Sequence, residues 1–256
     1  MKYAYLAFMT LAGVILPAAS SISSAAEVRC NKARHVSGVQ KSLPTLQDRV
    51  ENGAPITIVA FGSSSTEGTP DIPKQDIYPA VLQRYLQREV VSPVVLINRG
   101  KGGETIAHML ARLDRDVIAA KPDLVVWQLG VNDVLVMDGV EAAVADMRIA
   151  LVRLKAAGIP VVLIDLQVAP MVERDRDTPV MQAAIAEAAK DQQVLHFKRY
   201  DVMKSLMASR EADMSELVTG DGLHMTAFGH LCTGSLLARQ IANGALMRLA
   251  SGNRSD

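Results

Sequence analysis

The sequence predicts a single α/β domain, a five-stranded parallel sheet between two layers of helices. Two observations carry that prediction. Five short runs are almost wholly apolar, at residues 56–61, 94–97, 124–129, 161–164 and 194–197. Continuous apolar runs of this length mark strands buried on both faces. Between them lie segments with apolar residues at helical spacing, and regular alternation of strand and helix is the pattern of a parallel sheet. No internal repeat and no linker divides the chain, and its 256 residues suffice for one well-buried core.

The helices follow from periodicity. Tyr78 to Glu89 places Val81, Leu82, Tyr85 and Leu86 on one side. Val140 to Ala157 is amphipathic and closes on Gly158 and Pro160, a common helix stop. Further helices are expected at 106–120, 179–191, 201–209 and 227–250. Segments 69–76 and 170–177 read as loops. Residues 27–54 are polar and mixed and read as an N-terminal arm with one short helix near 45–51. The domain proper is 55–250, and 251–256 reads as a fraying tail.

Composition narrows the function. The chain is 49% hydrophobic and 21% charged, ordinary for a globular protein. Its 27 basic and 27 acidic side chains cancel without a long run of one sign, so nothing asks for nucleic acid or an anionic membrane surface. Aromatics at 4% argue against a base-stacking platform and against a sugar cleft lined with rings. Residues 1–26 read as a secretory signal peptide: Lys2, an apolar run from Tyr3 to Pro17, then Ser24-Ala25-Ala26 ahead of Glu27. A periplasmic or secreted protein without a membrane span in its mature chain is expected. Export lets the two cysteines, Cys30 and Cys232, form a disulfide, while two separate thiols remain open as the alternative. No His, Cys, Asp or Glu group has metal-ligand spacing, so neither metal nor cofactor is expected.

The chemistry concentrates in four short motifs. Ile56 to Phe61 breaks into Gly62-Ser63-Ser64-Ser65-Thr66, a hydroxyl cluster at a strand end. Gly100-Lys101-Gly102-Gly103 and Gly130-Val131-Asn132-Asp133 follow two other strands, and Asp221-Gly222-Leu223-His224 precedes the last helix. Loops at the carboxyl edge of a parallel sheet converge in space. Together they supply what ester hydrolysis needs: a nucleophile (Ser64), a base (His224), a carboxylate to orient it (Asp221) and oxyanion donors. The donors are the backbone N–H groups of Ser64 and Gly103 and the side-chain amide of Asn132. The spacing from Asp221 to His224 suits a turn that returns the carboxylate to the imidazole.

In these blocks the sequence resembles the SGNH hydrolases, also called GDSL esterases and lipases, over about residues 56–245. The resemblance implies a flavodoxin-like three-layer α/β/α fold, with Ser64, Asp221 and His224 as the triad and Ser64, Gly103 and Asn132 as the oxyanion hole. Two positions depart from the family. Ser63 stands where Asp is usual, and Met225 where Pro commonly follows the histidine; Met225 is then expected to line an acyl pocket. Gly229 fits the family pattern.

Plainer roles are expected elsewhere. Glu67 reads as a helix-start acid and Asp133 as a strand-to-helix cap. His196 reads as a core residue, and His230 as packing or surface. Arg99, Lys101 and Glu104 read as solvated loop charges beside the site. The function expected is an exported serine esterase acting through an acyl-enzyme on small acyl esters, with O-acylated envelope or extracellular polysaccharide as a substrate class. A lysophospholipase or thioesterase, an O-acyltransferase, and an inactive glycan-binding protein stay open as alternatives.

Overall fold

The structure is a computed structural model that describes residues 21–38, 41–136 and 139–251. Five strands form the sheet: β1 (Ile56–Gly62), β2 (Val94–Gly100), β3 (Leu124–Gln128), β4 (Val161–Ile164) and β5 (Leu195–Phe197). Their order is β2-β1-β3-β4-β5, and every neighbouring pair is parallel. This is the doubly wound arrangement, whose strand order reverses between β1 and β3. The helices are α1 (Ser21–Asn31), α2 (Pro44–Glu51), α3 (Ser64–Glu67), α4 (Tyr78–Glu89), α5 (Ile106–Asp116), α6 (Val131–Val136), α7 (Glu141–Ala156), α8 (Pro170–Arg174), α9 (Thr178–Asp191), α10 (Arg199–Ala208), α11 (Met214–Leu217) and α12 (Ala227–Ser251). The expected three-layer α/β/α fold is present. Among the described residues no helix is long and apolar enough to cross a membrane.

Burial explains why the runs form strands. Every residue of β3 and β4 is buried, and β1 is buried except at Thr57. α12 packs against α4, α2 and α1 in one helical layer, while α5, α7 and α9 neighbour one another in the other. Of the loop expected at 170–177, residues 170–174 are helical and only 175–177 are irregular. Pro170 starts α8, its fixed φ being suited to a first helical turn.

The N-terminal region is more than an arm. Cys30 and Cys232 form a disulfide joining α1 to α12, with Cα atoms 4.9 Å apart across 202 residues of sequence. Beside it, the Arg29 guanidinium pairs with Glu216 at 2.8 Å, donates to the Glu211 carbonyl at 2.6 Å and lies 4.4 Å over the Phe228 ring. Gln47 of α2 donates to the Gly244 carbonyl of α12. Helix α1 runs through the expected cleavage point between Ala26 and Glu27. Residues 1–20 of the expected signal peptide and 252–256 of the tail lie outside the described residues.

Candidate active site

The turn bearing Ser64 grows directly out of β1. In-register pairing of Gly62 with Gly100 aligns the ends of β1 and β2, and the Lys101 N–H donates to the Gly62 carbonyl at 2.9 Å. Neither glycine has room for a side chain: a Cβ on Gly62 would lie 2.3 Å from Thr66 Oγ1, and one on Gly100 2.1 Å from the Glu67 nitrogen. Ser64 then opens α3, with Thr66 and Glu67 N–H groups returning to the Ser63 carbonyl. Of the clustered hydroxyls only Ser64 is partly open to solvent; Ser63, Ser65 and Thr66 are buried.

The structure brings the distant Asp–His pair to this hydroxyl. Ser64 Oγ is 2.9 Å from His224 Nε2, and His224 Nδ1 is 2.6 Å from Asp221 Oδ2. A carboxylate only accepts, so Nδ1 carries the proton and Nε2 presents its lone pair to the Ser64 O–H. Asp221 also holds its own turn. Its Oδ1 accepts from Thr219 Oγ1 (2.7 Å), Leu223 N–H (2.8 Å) and His224 N–H (3.0 Å). Desolvation alone would raise the carboxyl's pKa, but these bonds and the one from His224 outweigh it and hold the group well below the usual carboxylate range. A bridge between Val218 and Met225 closes the base of the turn. Met225 is therefore buried beneath it, against Thr233, and does not line an acyl pocket.

Of the expected oxyanion donors, Gly103 belongs to a loop that lies beside Ser64, and Asn132 is bonded to the next residue of that loop, Glu104. Among the described residues neither the Ser64 N–H nor the Gly103 N–H has a protein partner. Gly103 has φ +76°, which accounts for glycine there, since a Cβ would meet no protein atom. Glu67 turns out to tether this loop: its Oε2 accepts from the Gly102 N–H at 2.7 Å. A Cβ on Gly102 would be 3.8 Å from Ser64 Cβ, so the loop lies against Ser64. Asn132, in the first turn of α6, donates one amide N–H to the Glu104 carbonyl at 2.8 Å and keeps a second. Asp133 is buried and accepts from the Ile106 N–H at 2.9 Å, tying the β3 loop to the start of α5. Burial raises its pKa against the bonds from Ile106, its own N–H and Gly130.

Glu104 is not a solvated loop charge. It is buried and pairs with Arg112 of α5 at 2.6 Å. Arg112 also reaches the carbonyls of Arg99 (2.9 Å) and Gly62 (3.3 Å), pairs with Asp116 (3.0 Å) and covers the Phe61 ring at 4.4 Å. It thus braces the ends of β1 and β2. Arg99 and Lys101 are exposed as expected. His196, half-buried, pairs with Asp165 at 3.1 Å.

His230 lies under the site, its Nδ1 accepting from the Tyr78 N–H at 3.1 Å. Burial, reinforced by Arg199 and His224, pushes its pKa down to about 3. An unfolded chain protonates this imidazole near pH ~6.5. Stability from keeping it neutral is therefore complete above that pH and is lost progressively as pH falls toward 3. Each tenfold change in proton affinity is worth about 1.4 kcal/mol, so the loss is on the order of a few kcal/mol. Thermal unfolding from pH 4 to 8 should show this slope. His230→Asn, which keeps an acceptor near Nδ1 without the titration, should flatten it; an equal slope would exclude His230 as its source.

The family model for the non-GDSL lipase-like family matches residues 29–247. The chain belongs to the non-GDSL lipase-like family. That membership bears out the SGNH resemblance, agrees with the expected ester hydrolase class, and suits a chain whose Ser63 departs from the Gly-Asp-Ser pattern. Solved structures share the fold. A G-D-S-L family protein from Desulfitobacterium hafniense DCB-2 is 20% identical, with TM-score 0.59, over 72% of this chain and 98% of that one. Axe2, an acetylxylan esterase from Geobacillus stearothermophilus, is 20% identical with TM-score 0.59, over 73% of this chain and 94% of its own. A two-domain esterase active on acetylated mannans has TM-score 0.68 at 20% identity, over 82% of this family member but 56% of that longer chain. Catalytic mutants of Axe2 replace a serine, an aspartate and a histidine, the last two three residues apart. No curated protein matches the sequence.

Proposed function

We propose that the protein is an exported serine esterase that removes small acyl groups, acetyl above all, from O-acylated carbohydrate. The observation that carries the reading is the continuous line Asp221–His224–Ser64, with spacings of 2.6 and 2.9 Å. Ser64 Oγ attacks the acyl carbonyl carbon as its proton passes to His224 Nε2. The oxyanion meets the N–H groups of Ser64 and Gly103 and the remaining Asn132 amide N–H. The imidazolium, stabilised by Asp221, then protonates the departing alkoxide oxygen, leaving an ester on Ser64. Water attacks that ester, gives its proton to His224, and the proton returns to Ser64 Oγ as the carboxylic acid departs.

Export rests on the Ser24-Ala25-Ala26 pattern and on the Cys30–Cys232 disulfide, a bond that persists in oxidising compartments. The carbohydrate reading is supported by the esterases of shared fold that act on acetylated xylan and mannans.

Ser64→Ala should abolish hydrolysis of p-nitrophenyl acetate while leaving circular dichroism unchanged. A serine-directed phosphonate should label Ser64, identified by peptide mass. Retained activity, or labelling at Ser63 or Ser65, would refute the mechanism. An acyl series from C2 to C12, run beside acetylated xylo- and manno-oligosaccharides, should fall off with chain length.

A further inference from the structure

Ser63 lacks the carboxylate that the family pattern places beside the nucleophile, yet the turn is held from another direction. Gln128, the last residue of β3, is fully buried. Its Oε1 accepts from the Ser63 N–H at 2.9 Å, from Ser63 Oγ at 3.1 Å and from Thr66 Oγ1 at 3.1 Å. These donors flank Ser64 on both sides. The contact is intimate: a Cβ on Gly62 would lie 2.7 Å from Gln128 Oε1. The orientation of the amide follows from the Ser63 N–H, which can only donate. Its other end, Nε2, is buried without a hydrogen-bond partner among the described residues.

That imbalance is informative. A buried amide whose N–H groups go unsatisfied costs free energy, whereas its Oε1 satisfies three buried donors that an apolar side chain of the same shape would leave unpaired. All of the hydrogen bonding of this side chain is therefore directed at the 62–66 turn. Thr66 Oγ1 further bonds the Tyr78 hydroxyl at 2.8 Å, and the Tyr78 N–H bonds His230 of α12, the helix that follows the His224 turn. Gln128 thus links the nucleophile turn to the element that carries the base.

We infer that Gln128 is the positioning residue of the nucleophile, fixing the 62–66 turn so that Ser64 Oγ meets His224 Nε2. It touches no substrate; it acts through Ser63 and Thr66. The inference rests on Ser64 being the nucleophile, as proposed above. Misplacement of a reacting atom by about 1 Å can cost around 10²-fold in rate.

The test compares the parent with Gln128→Met, which keeps the shape and removes the acceptor, and Gln128→Glu, which keeps the acceptor. Three quantities are read: kcat and KM on p-nitrophenyl acetate, the rate of Ser64 phosphonylation, and Tm. Gln128→Met should lower kcat and the phosphonylation rate together by about 10²-fold, with KM little changed and Tm lowered by several degrees as the Ser63 and Thr66 donors lose their acceptor, and Gln128→Glu should recover at least a tenth of the parental kcat. A folded Gln128→Met with kcat within three-fold of the parent would overturn the inference. If Gln128→Met fails to fold, Gln128→Glu decides alone: a folded variant below a hundredth of parental kcat overturns it. Absence of phosphonate label on Ser64 in the parent would instead refute the nucleophile reading itself.

Discussion

Replacing His224 with alanine is expected to lower kcat on p-nitrophenyl acetate by about 10⁴-fold or more, with KM changed only a few-fold. In the proposed mechanism the imidazole is needed twice, to accept the Ser64 proton and to deliver it to the leaving alkoxide, and both demands arise in the transition state alone. Asp221→Asn should cost less, about 10²–10³-fold. Its carboxylate is 48% exposed, so water screens part of its charge on the imidazolium. The amide would still leave an Oδ1-like acceptor for Thr219, Leu223 and His224, so the turn should survive. What fails is the tautomer: an NH₂ facing Nδ1 favours the proton on Nε2, where it cannot receive another from Ser64. Because Asp221 is held well below the usual carboxylate range, it stays ionised across the working pH range. Steady-state kinetics of both variants from pH 5 to 9 check the order. An Asp221→Asn loss equal to that of His224→Ala would mean that the carboxylate does more than orient.

The second large effect concerns stability. Removing the Cys30–Cys232 bridge, as the double serine variant or with reductant, should lower Tm by roughly 10 °C or more. A cross-link spanning 202 residues restricts the unfolded chain by about 5 kcal/mol on the chain-entropy model. Well below the new Tm, kcat should stay near the parent's, because Arg29 still binds Glu216, the Glu211 carbonyl and Phe228. Scanning calorimetry with and without reductant measures the shift; an unchanged Tm would show that the bridge contributes nothing.

Features with a local signature were legible in the sequence. β1, β3 and β4 announced themselves because burial on both faces demands uninterrupted apolar runs. Ser64, Gly103 and Asn132 stood out because a turn at a strand end needs glycine and small polar residues, and Asp221 and His224 because of their three-residue spacing ahead of the last helix. Partners distant in sequence were not legible. Gln128 sits inside an apolar strand, and nothing nearby says that its amide meets a turn 65 residues earlier. Arg112 reads as one more charge on an amphipathic helix, although it is buried among the carbonyls of two strands. Glu104 looks like a loop acid and Glu67 like a helix-start acid until their acceptor roles appear. Met225 was drawn toward the substrate by its neighbour His224, whereas the bridge to Val218 turns it inward. α1 is only weakly amphipathic, and its place is set by a disulfide and an arginine clamp, neither of which leaves a periodic trace.

The placement of α12 has a consequence for the making of the protein. It is synthesised after α1, α2 and α4, yet all three pack on it. The turn bearing Asp221 and His224 leads into it, while Ser64 belongs to the first strand laid down. A growing chain therefore carries its hydroxyl long before any base can reach it. Ser64 and His224 meet only when the 221–224 turn, 160 residues further along the chain, folds back onto the end of β1.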